Sequence, residues 1–568
     1  MRHHATPSAT IPDVFRSLRL LLWLPALAGL CPFAMGWGSG HDPLNKLAVE
    51  AMPPALRKTL TKEAQVSVVK RSHAPDDFTV WGKQTKVTIH PDDLAVLLAH
   101  GLKHPYALHS PKGQAANFIL LVKAFQAEAP DRIAYWSACL LHTFADEGAC
   151  NHDPLLHFVT YAFSQGYKMD LGKQGVLDFA QVAKTAQDRR LIQGMLADFT
   201  PSVLDADPQE AILQIMMHGL HANEFMTQRG GRIARTFSRT ASAEEAKAGR
   251  TALAELGVNG IKGGLDAIWT AQQFAKRGVV PEMNPGAEKE HRARAKAFLA
   301  KRPLSSDAIF AELLEPKGNG PAVGVLVETS QSMNRGRMPF SAKYIGSAIM
   351  RTLQNAEIAY RPVDVRTLDQ AELPSPESMP VVILCSGSFG HKPMVERLRA
   401  YAKAGGRILL IGGEHRNVLG ELSTCLGKPA GARLPVSPKY GQNNTEYIDS
   451  LRIRFAGGLE TTLGADPHAF IHNPDTKAGW QKPRCDYVLT KSGPNVRVLA
   501  QLEDGDRRLD IAGVLLDDKG RTVCAFVPEY LVSPYLLTNS PPLDDPSRPS
   551  LDAVGQKLLL HVLSGMLP

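Results

Sequence analysis

The 568-residue sequence has no Cys-x-x-Cys pair, no internal repeat, no long block of basic residues and no Gly-x-Gly-x-x-Gly run opening a helix after a first strand. Its seven cysteines are scattered at 31, 139, 150, 385, 425, 485 and 524, so neither a zinc ribbon nor a dense disulfide framework is signalled. On one continuous helix, Cys139 and Cys150 would stand about 16 Å apart, far beyond the roughly 6 Å that a disulfide spans. The missing glycine fingerprint argues against a dinucleotide fold. The Gly pairs in "AGGR", "IGGEH", "TQRGGR" and "NGIKGG" read instead as turns or helix ends. Aromatic residues make up 7% of the chain and are not interleaved with basic ones, which removes the signature of a dedicated nucleic-acid surface.

Long apolar runs are also scarce. The run nearest the N-terminus, "LLLWLPALAGL", is too short to span a bilayer comfortably; it follows Arg2, Arg16 and Arg19 and precedes small residues. That order predicts a secretory signal peptide over 1–36, with Ala34-Met35-Gly36 meeting the small-x-small rule and Trp37 left as the first mature residue. The alternative is an uncleaved anchor. On the first reading the protein is exported, to the periplasm or the exterior. Cys31 is preceded by "LAGL", one residue out of step with the Leu-Ala-Gly-Cys lipoprotein pattern, which leaves its lipidation open. The net charge is +8 and falls to about +6 when Arg2, Arg16, Arg19 and Asp13 are removed. This mild excess favours anionic partners such as phosphates, nucleic acid or membrane head groups.

Two grammars follow one another. From 37 to 300, "GQAANFILLVKAFQAEA", "DRIAYWSACLLHTFADEGA", "PQEAILQIMMHGLHANEFMTQ" and "GLDAIWTAQQFAKR" repeat apolar residues every three or four positions, which predicts an all-helical domain. The stretch 301–319, ending in "EPKGNGPA", reads as a linker. From 320 to 435, apolar strands such as "AVGVLVET", "PVVILCSG" and "RILLIGG" alternate with amphipathic helices, implying a parallel sheet covered on both faces. From 436 to 550 the text is β-rich, and 551–568 reads as an apolar helix packing back on the α/β domain. The β-rich stretch is then an insertion or an extension.

The residues that carry chemistry cluster in "LLHTFADEGACNHDPLLH". His142 and Asp146 stand four apart on a predicted helix, so they share a face and can reach one ion, and His152 follows after a Gly-containing break. Imidazole nitrogen and carboxylate oxygen suit zinc at about 2.0 to 2.2 Å. Upstream lie Asp76 in "RSHAPDD" and His109 in "HPYALHS"; downstream, His218, His221 and Glu224 recur every three residues in "MMHGLHANEF". Ionisable groups in apolar helices have to be satisfied, and a shared metal cluster would satisfy several together.

The order of a Trp at the mature N-terminus, a His, Pro-Asp, Leu-His, His-x3-Asp-x5-His and a later His with a carboxylate resembles the superfamily of zinc-dependent phospholipases C and single-strand-specific zinc nucleases. The resemblance implies that Trp37 binds zinc through its amino nitrogen and carbonyl oxygen, together with His41, and that Asp146 bridges this ion to a second held by Asp76, His109 and His142. A third ion would take His152, His221 and Glu224, with His218 or His157 as substitutes. It makes Asp76 and Asp146 the catalytic carboxylates, Asp76 as acceptor of a proton from the attacking water, in cleavage of a P–O bond by a cluster of three Zn2+ ions.

The segment 320–415 resembles class I glutamine-amidotransferase-like domains in its strand order and in "VERLRAYAKAGGRILLIGG". The "GxCxGxQ" context of the active enzymes is absent around Cys385, so a non-catalytic, flavodoxin-like domain that is structural or binds a protein partner is implied. The expectation is therefore multidomain: an all-α zinc-hydrolase domain, then an α/β amidotransferase-like domain with the β-rich insertion or extension. The expected activity is zinc-dependent phosphodiester hydrolysis of the phospholipase C type, on a phospholipid head group at a membrane surface, with cleavage of single-stranded nucleic acid as the alternative. The competing reading is an inactive relative that binds a surface or partner.

Overall fold

A computed structural model describes residues 40–78, 80–81, 84–85, 89–103, 107–149, 182–183, 185–236, 241–301, 311–327, 342–364, 373–385, 392–411, 432–433, 452–463, 487–488, 496–504, 507–527, 531–532, 551 and 553–568. The signal segment, Trp37, Cys31, Cys150, His152 and His157 lie outside the described residues. Among the described residues the chain is a mixed α/β protein with a helical part and an eight-stranded sheet.

The helical part comprises α1 (His41–Ala51), α2 (Pro54–Arg57), α3 (Lys62–Lys70), α4 (Ala74–Asp77), α5 (Pro91–Ala99), α6 (Pro111–Gln126), α7 (Pro130–Glu147), α8 (Ala186–Leu196), α9 (Pro208–Thr227), α10 (Gly230–Arg235), α11 (Ala243–Lys276) and α12 (Pro285–Lys301). A short hairpin of β1 (Val80–Trp81) and β2 (Gln84–Thr85) follows α4. Proline begins α2, α5, α6, α7, α9 and α12, where its missing N–H is not needed and its fixed φ suits the first turn. Ser110 caps α6 by accepting from the Gly113 N–H, and Asp207 caps α9 by accepting from the Gln209 and Glu210 N–H groups. Ser242 and Glu245 close a reciprocal capping box at the start of α11.

The core of this part is built on α6 and α7, whose Phe118, Trp136 and Phe144 are fully buried, with Phe274 of α11 against them. "NGIKGG" is not a turn, as the sequence suggests, but the middle of α11. There a Cβ on Gly260 would lie 2.5 Å from the Ala145 Cα, and one on Gly264 would lie 2.8 Å from the Leu141 Cδ2. The glycines thus let the backbone of α11 press directly on α7, a close approach that outweighs glycine's poor helix propensity.

The second part holds β3 (Val323–Val327), α13 (Ala342–Asn355), β4 (Tyr360–Asp364), β5 (Val381–Cys385), α14 (Lys392–Lys403), β6 (Arg407–Ile411), β7 (Ala432–Arg433), β8 (Arg452–Phe455), α15 (Leu459–Leu463), β9 (Tyr487–Val488), β10 (Val496–Asp504), β11 (Arg507–Leu516), β12 (Thr522–Val527) and α16 (Ala553–Ser564). The large sheet runs β4-β3-β5-β6-β12-β11-β10-β8. The pairs from β4 through β12 are parallel and those from β12 to β8 antiparallel. Four strands of the β-rich stretch therefore continue the α/β sheet, with β12 laid in parallel register beside β6 (Cys524 opposite Ile408). The apolar residues of the parallel strands divide between two clusters, one containing Val323, Val325 and Ile383, the other Leu326, Val382 and Leu384. This two-sided burial is why β3 and β5 read as continuous apolar runs. Leu558, Leu559, Val562 and Leu563 of α16 join the first cluster. "AGGR" does form a turn before β6, with Gly405 at φ +96°. No helix among the described residues is long and apolar enough to cross a membrane.

Candidate metal centre

Five ligand-type side chains from separate parts of the helical region converge. His41 is the first residue of α1, Asp76 sits in α4, His109 ends a short 3₁₀ turn (Ala107–His109) just before α6, and His142 and Asp146 stand one turn apart on α7. His41, His142 and Asp146 are at most 1% exposed and His109 is 3% exposed. Such burial of ionisable groups requires mutual compensation.

The contacts have a definite order. His41 Nε2 lies 3.3 Å from Asp146 Oδ1, and the other carboxylate oxygen, Oδ2, lies 3.6 Å from His109 Nε2. Asp76 Oδ1 is 3.2 Å from His109 Nε2 and 3.4 Å from His142 Nε2. The two Nε2 atoms of His109 and His142 are 2.9 Å apart. The His41 and His142 rings stack with centroids 3.8 Å apart and an interplanar angle of 20°. His142 Nδ1 stands 2.6 Å from the Ser72 carbonyl oxygen. A carbonyl only accepts, so Nδ1 carries a proton and donates it, which leaves Nε2, facing Asp76 and His109, as the atom that carries either a second proton or a metal ion.

Charge in this group is strongly coupled. Burial pushes the His41 imidazole down to about 4, the neighbouring His142 pushes the same way, and Asp146 pulls against both. For His142, burial opposes the charged form, but the Asp76 and Asp146 carboxylates and the Ser72 carbonyl hold its pKa above the ordinary value. Burial also works against the Asp76 carboxylate, yet His142, His109 and His73 together hold it well below the usual carboxylate range. Lone pairs and carboxylates thus surround a space that requires positive charge, supplied by a proton on His142 or by a metal ion.

The separations suit a metal. Ligand atoms bound at about 2.0 to 2.1 Å to tetrahedral zinc are about 3.3 Å apart, and the 3.2, 3.3, 3.4 and 3.6 Å contacts fall around that edge length. His41, His142 and Asp146 form one group whose ligand atoms lie within 4.8 Å of one another, and His73, Asp76 and His142 form another. The Ser72 carbonyl behind His142 is the kind of outer hydrogen bond that orients metal-bound histidines.

Surrounding contacts fix α7. Asp93 of α5 is 2% exposed and accepts from both the Arg132 guanidinium and the Trp136 indole N–H, the latter at 2.9 Å. At the other end, His218 of α9 stacks on Phe144 with centroids 3.9 Å apart, and its Nε2 donates to the Phe144 carbonyl at 3.2 Å. The ring thereby caps a carbonyl in the last turn of α7.

Of the residues singled out in the sequence, His41, Asp76, His109, His142 and Asp146 are brought together, while Trp37 and His152 lie outside the described residues. His221 and Glu224 are not brought into either ligand group among the described residues; His221 is exposed, its ring edge-on to Phe298 of α12 with centroids 4.9 Å apart. Sequence reasoning passed over His73 and Asp42. His73 Nδ1 is 3.8 Å from Asp76 Oδ2, and His73 Nε2 is 3.6 Å from Asp42 Oδ1. The available signal was the spacing within "RSHAPDD", where His73 precedes Asp76 by three residues at the start of a proline-initiated turn. No family model, curated protein or solved structure matches the chain.

Proposed function

We propose that the protein is an exported, zinc-dependent phosphodiester hydrolase of the phospholipase C type. The observation that carries this reading is the two-sided Asp146 carboxylate, which turns Oδ1 to His41 and Oδ2 to His109 at separations suited to zinc. His109, His142, Asp76 and Asp146 would hold one ion, and His41 with Asp146 a second, to which Trp37 would add its terminal amine. Zinc held there would supply Lewis acidity, making water a better nucleophile near neutral pH and offering positive charge to phosphate oxygens.

The chain's own groups supply the rest. Burial keeps His41 neutral, so its ring nitrogen is a donor at physiological pH. Ser72 holds the His142 ring in one tautomer. The Asp76 side chain, 13% exposed against 1% for Asp146, is the carboxylate nearer solvent and accepts the proton from the attacking water in this reading.

The test is metal analysis of the purified full chain together with hydrolysis of bis(p-nitrophenyl) phosphate. The reading expects about two to three zinc ions per chain and activity that is lost to a chelator and restored by zinc. A metal-free chain without hydrolysis overturns it. Turnover of phosphatidylcholine supports the phospholipase assignment, whereas turnover of single-stranded DNA alone moves the enzyme to the nuclease side.

A further inference from the structure

Asp76 repeats at the mouth of the centre what Asp146 does inside it. One oxygen, Oδ1, faces His109 and His142 at 3.2 and 3.4 Å, and the other, Oδ2, faces His73 Nδ1 at 3.8 Å. We infer that the chain holds a third divalent-cation position there, with Asp76 Oδ2 and His73 Nδ1 as its protein donors and Asp42 orienting the His73 ring. This inference rests on the metal-centre reading above, and it uses residues distinct from the His152, His221 and Glu224 set that the sequence resemblance implies.

Three features support it. The 3.8 Å separation exceeds the edge of a zinc tetrahedron by about half an ångström, a difference that a turn of the 36% exposed His73 side chain takes up. On the far side of the His73 ring, Nε2 stands 3.6 Å from Asp42 Oδ1, within ion-pair reach, and Asp42 accepts a hydrogen bond from the Ser72 hydroxyl; this places a carboxylate where it would orient the ring of a metal-bound histidine. Ser72 therefore serves two positions, its carbonyl orienting His142 and its hydroxyl holding Asp42. Finally, two protein donors on the solvent side leave open coordination positions, the condition for a catalytic rather than a structural ion. A substrate phosphate oxygen or water would fill them. Imidazole with carboxylate selects a borderline divalent cation, zinc first among those available.

The experiment compares the full-length wild type with His73→Gln and Asp42→Asn, measuring zinc per chain after gel filtration, stepwise zinc affinity by competition with a chromophoric chelator, and the visible absorption of the cobalt-substituted proteins. His73→Gln is expected to lose one ion per chain, with a matching share of the cobalt absorption, while the remaining ions keep their affinities. Asp42→Asn is expected to weaken that same ion by about 10- to 100-fold without altering the count at saturating zinc. If His73→Gln binds as many ions at unchanged affinity, the third position is overturned. Should His73→Gln fail to fold, by far-UV circular dichroism, the 57% exposed Asp42 carries the decision: unchanged affinities in Asp42→Asn overturn the inference. A wild type that binds no metal overturns the whole centre, whereas a metal-bearing wild type with an unaltered His73→Gln overturns this position alone.

Discussion

Replacing Gly260 by alanine tests whether the geometry of the centre is set by the contact between α11 and α7. The added Cβ would meet Ala145 at 2.5 Å from its Cα, 3.0 Å from its Cβ and 3.1 Å from its N. Carbon atoms in contact sit about 3.5 to 4.0 Å apart, so the helices would have to separate by roughly 1 Å. Taken alone, glycine to alanine within a helix stabilises by about 1 kcal/mol. Overpacking opposes this by about 1 to 3 kcal/mol, and the upper end applies because a backbone has no alternative rotamer. The net expectation is a loss of about 1 to 2 kcal/mol in the metal-free protein. On the proposed metal reading the larger effect falls on the site, because Ala145 precedes Asp146 and a zinc site requires ligand distances within about 0.2 Å of their standard values. Zinc affinity is expected to fall at least about tenfold. Urea unfolding in chelator measures the first quantity and zinc competition titration the second. Gly194→Ala in α8 is the control: its Cβ meets nothing within 4 Å, and it should be neutral or stabilising by up to about 1 kcal/mol. If Gly260→Ala matches wild type in both stability and zinc affinity, the packing argument is refuted.

Other consequences follow from the supports of α7. Burial holds His218 down to about 4, against 6.5 in the unfolded chain. Between those values the unfolded state takes up a proton that the folded state refuses, so this contribution is present above pH 6.5 and is lost as pH falls towards 4. Its ceiling is about 3 kcal/mol, less for a ring that keeps some solvent; His218→Gln should therefore lose less stability than wild type between pH 7 and pH 5 in urea titrations, and equal losses would remove His218 from the acid response. Asp93→Ala leaves the Arg132 and Trp136 donors without their shared acceptor and should cost about 3 kcal/mol by chemical denaturation. A change below about 0.5 kcal/mol would show that α5 does not anchor α7.

The helical repeat made the His142–Asp146 pair legible, because four residues bring two side chains onto one face wherever the helix lies. His41, Asp76 and His109 lie on other elements, so local pattern could not bring them together; only a resemblance in the order of residues suggested that they belong to one centre. His221 and Glu224 were paired by the same helical spacing, and His152, the third member of that set, lies outside the described residues. Periodicity fixes that such residues share a face, not where the face points, and the His221 ring meets Phe298 of α12. His73 was overlooked because a histidine in a polar turn before proline carries no signal until the fold brings Asp42 and Asp76 to either side of it. The glycines of α11 misled for a related reason: locally they favour turns, and only the backbone of α7 against them accounts for a helix running through. In the second half, alternating strands showed that sheet was present, but β12 joins β6 through hydrogen bonds between residues over a hundred positions apart, which no local pattern encodes.

The central claim is that Asp146 is shared by two metal ions, and zinc content per chain of Asp146→Ala beside His41→Ala tests it most directly. The account predicts that His41→Ala loses one ion and Asp146→Ala loses that ion and a second with it. Zinc retained equally by both variants, or absent from the wild type, would contradict it.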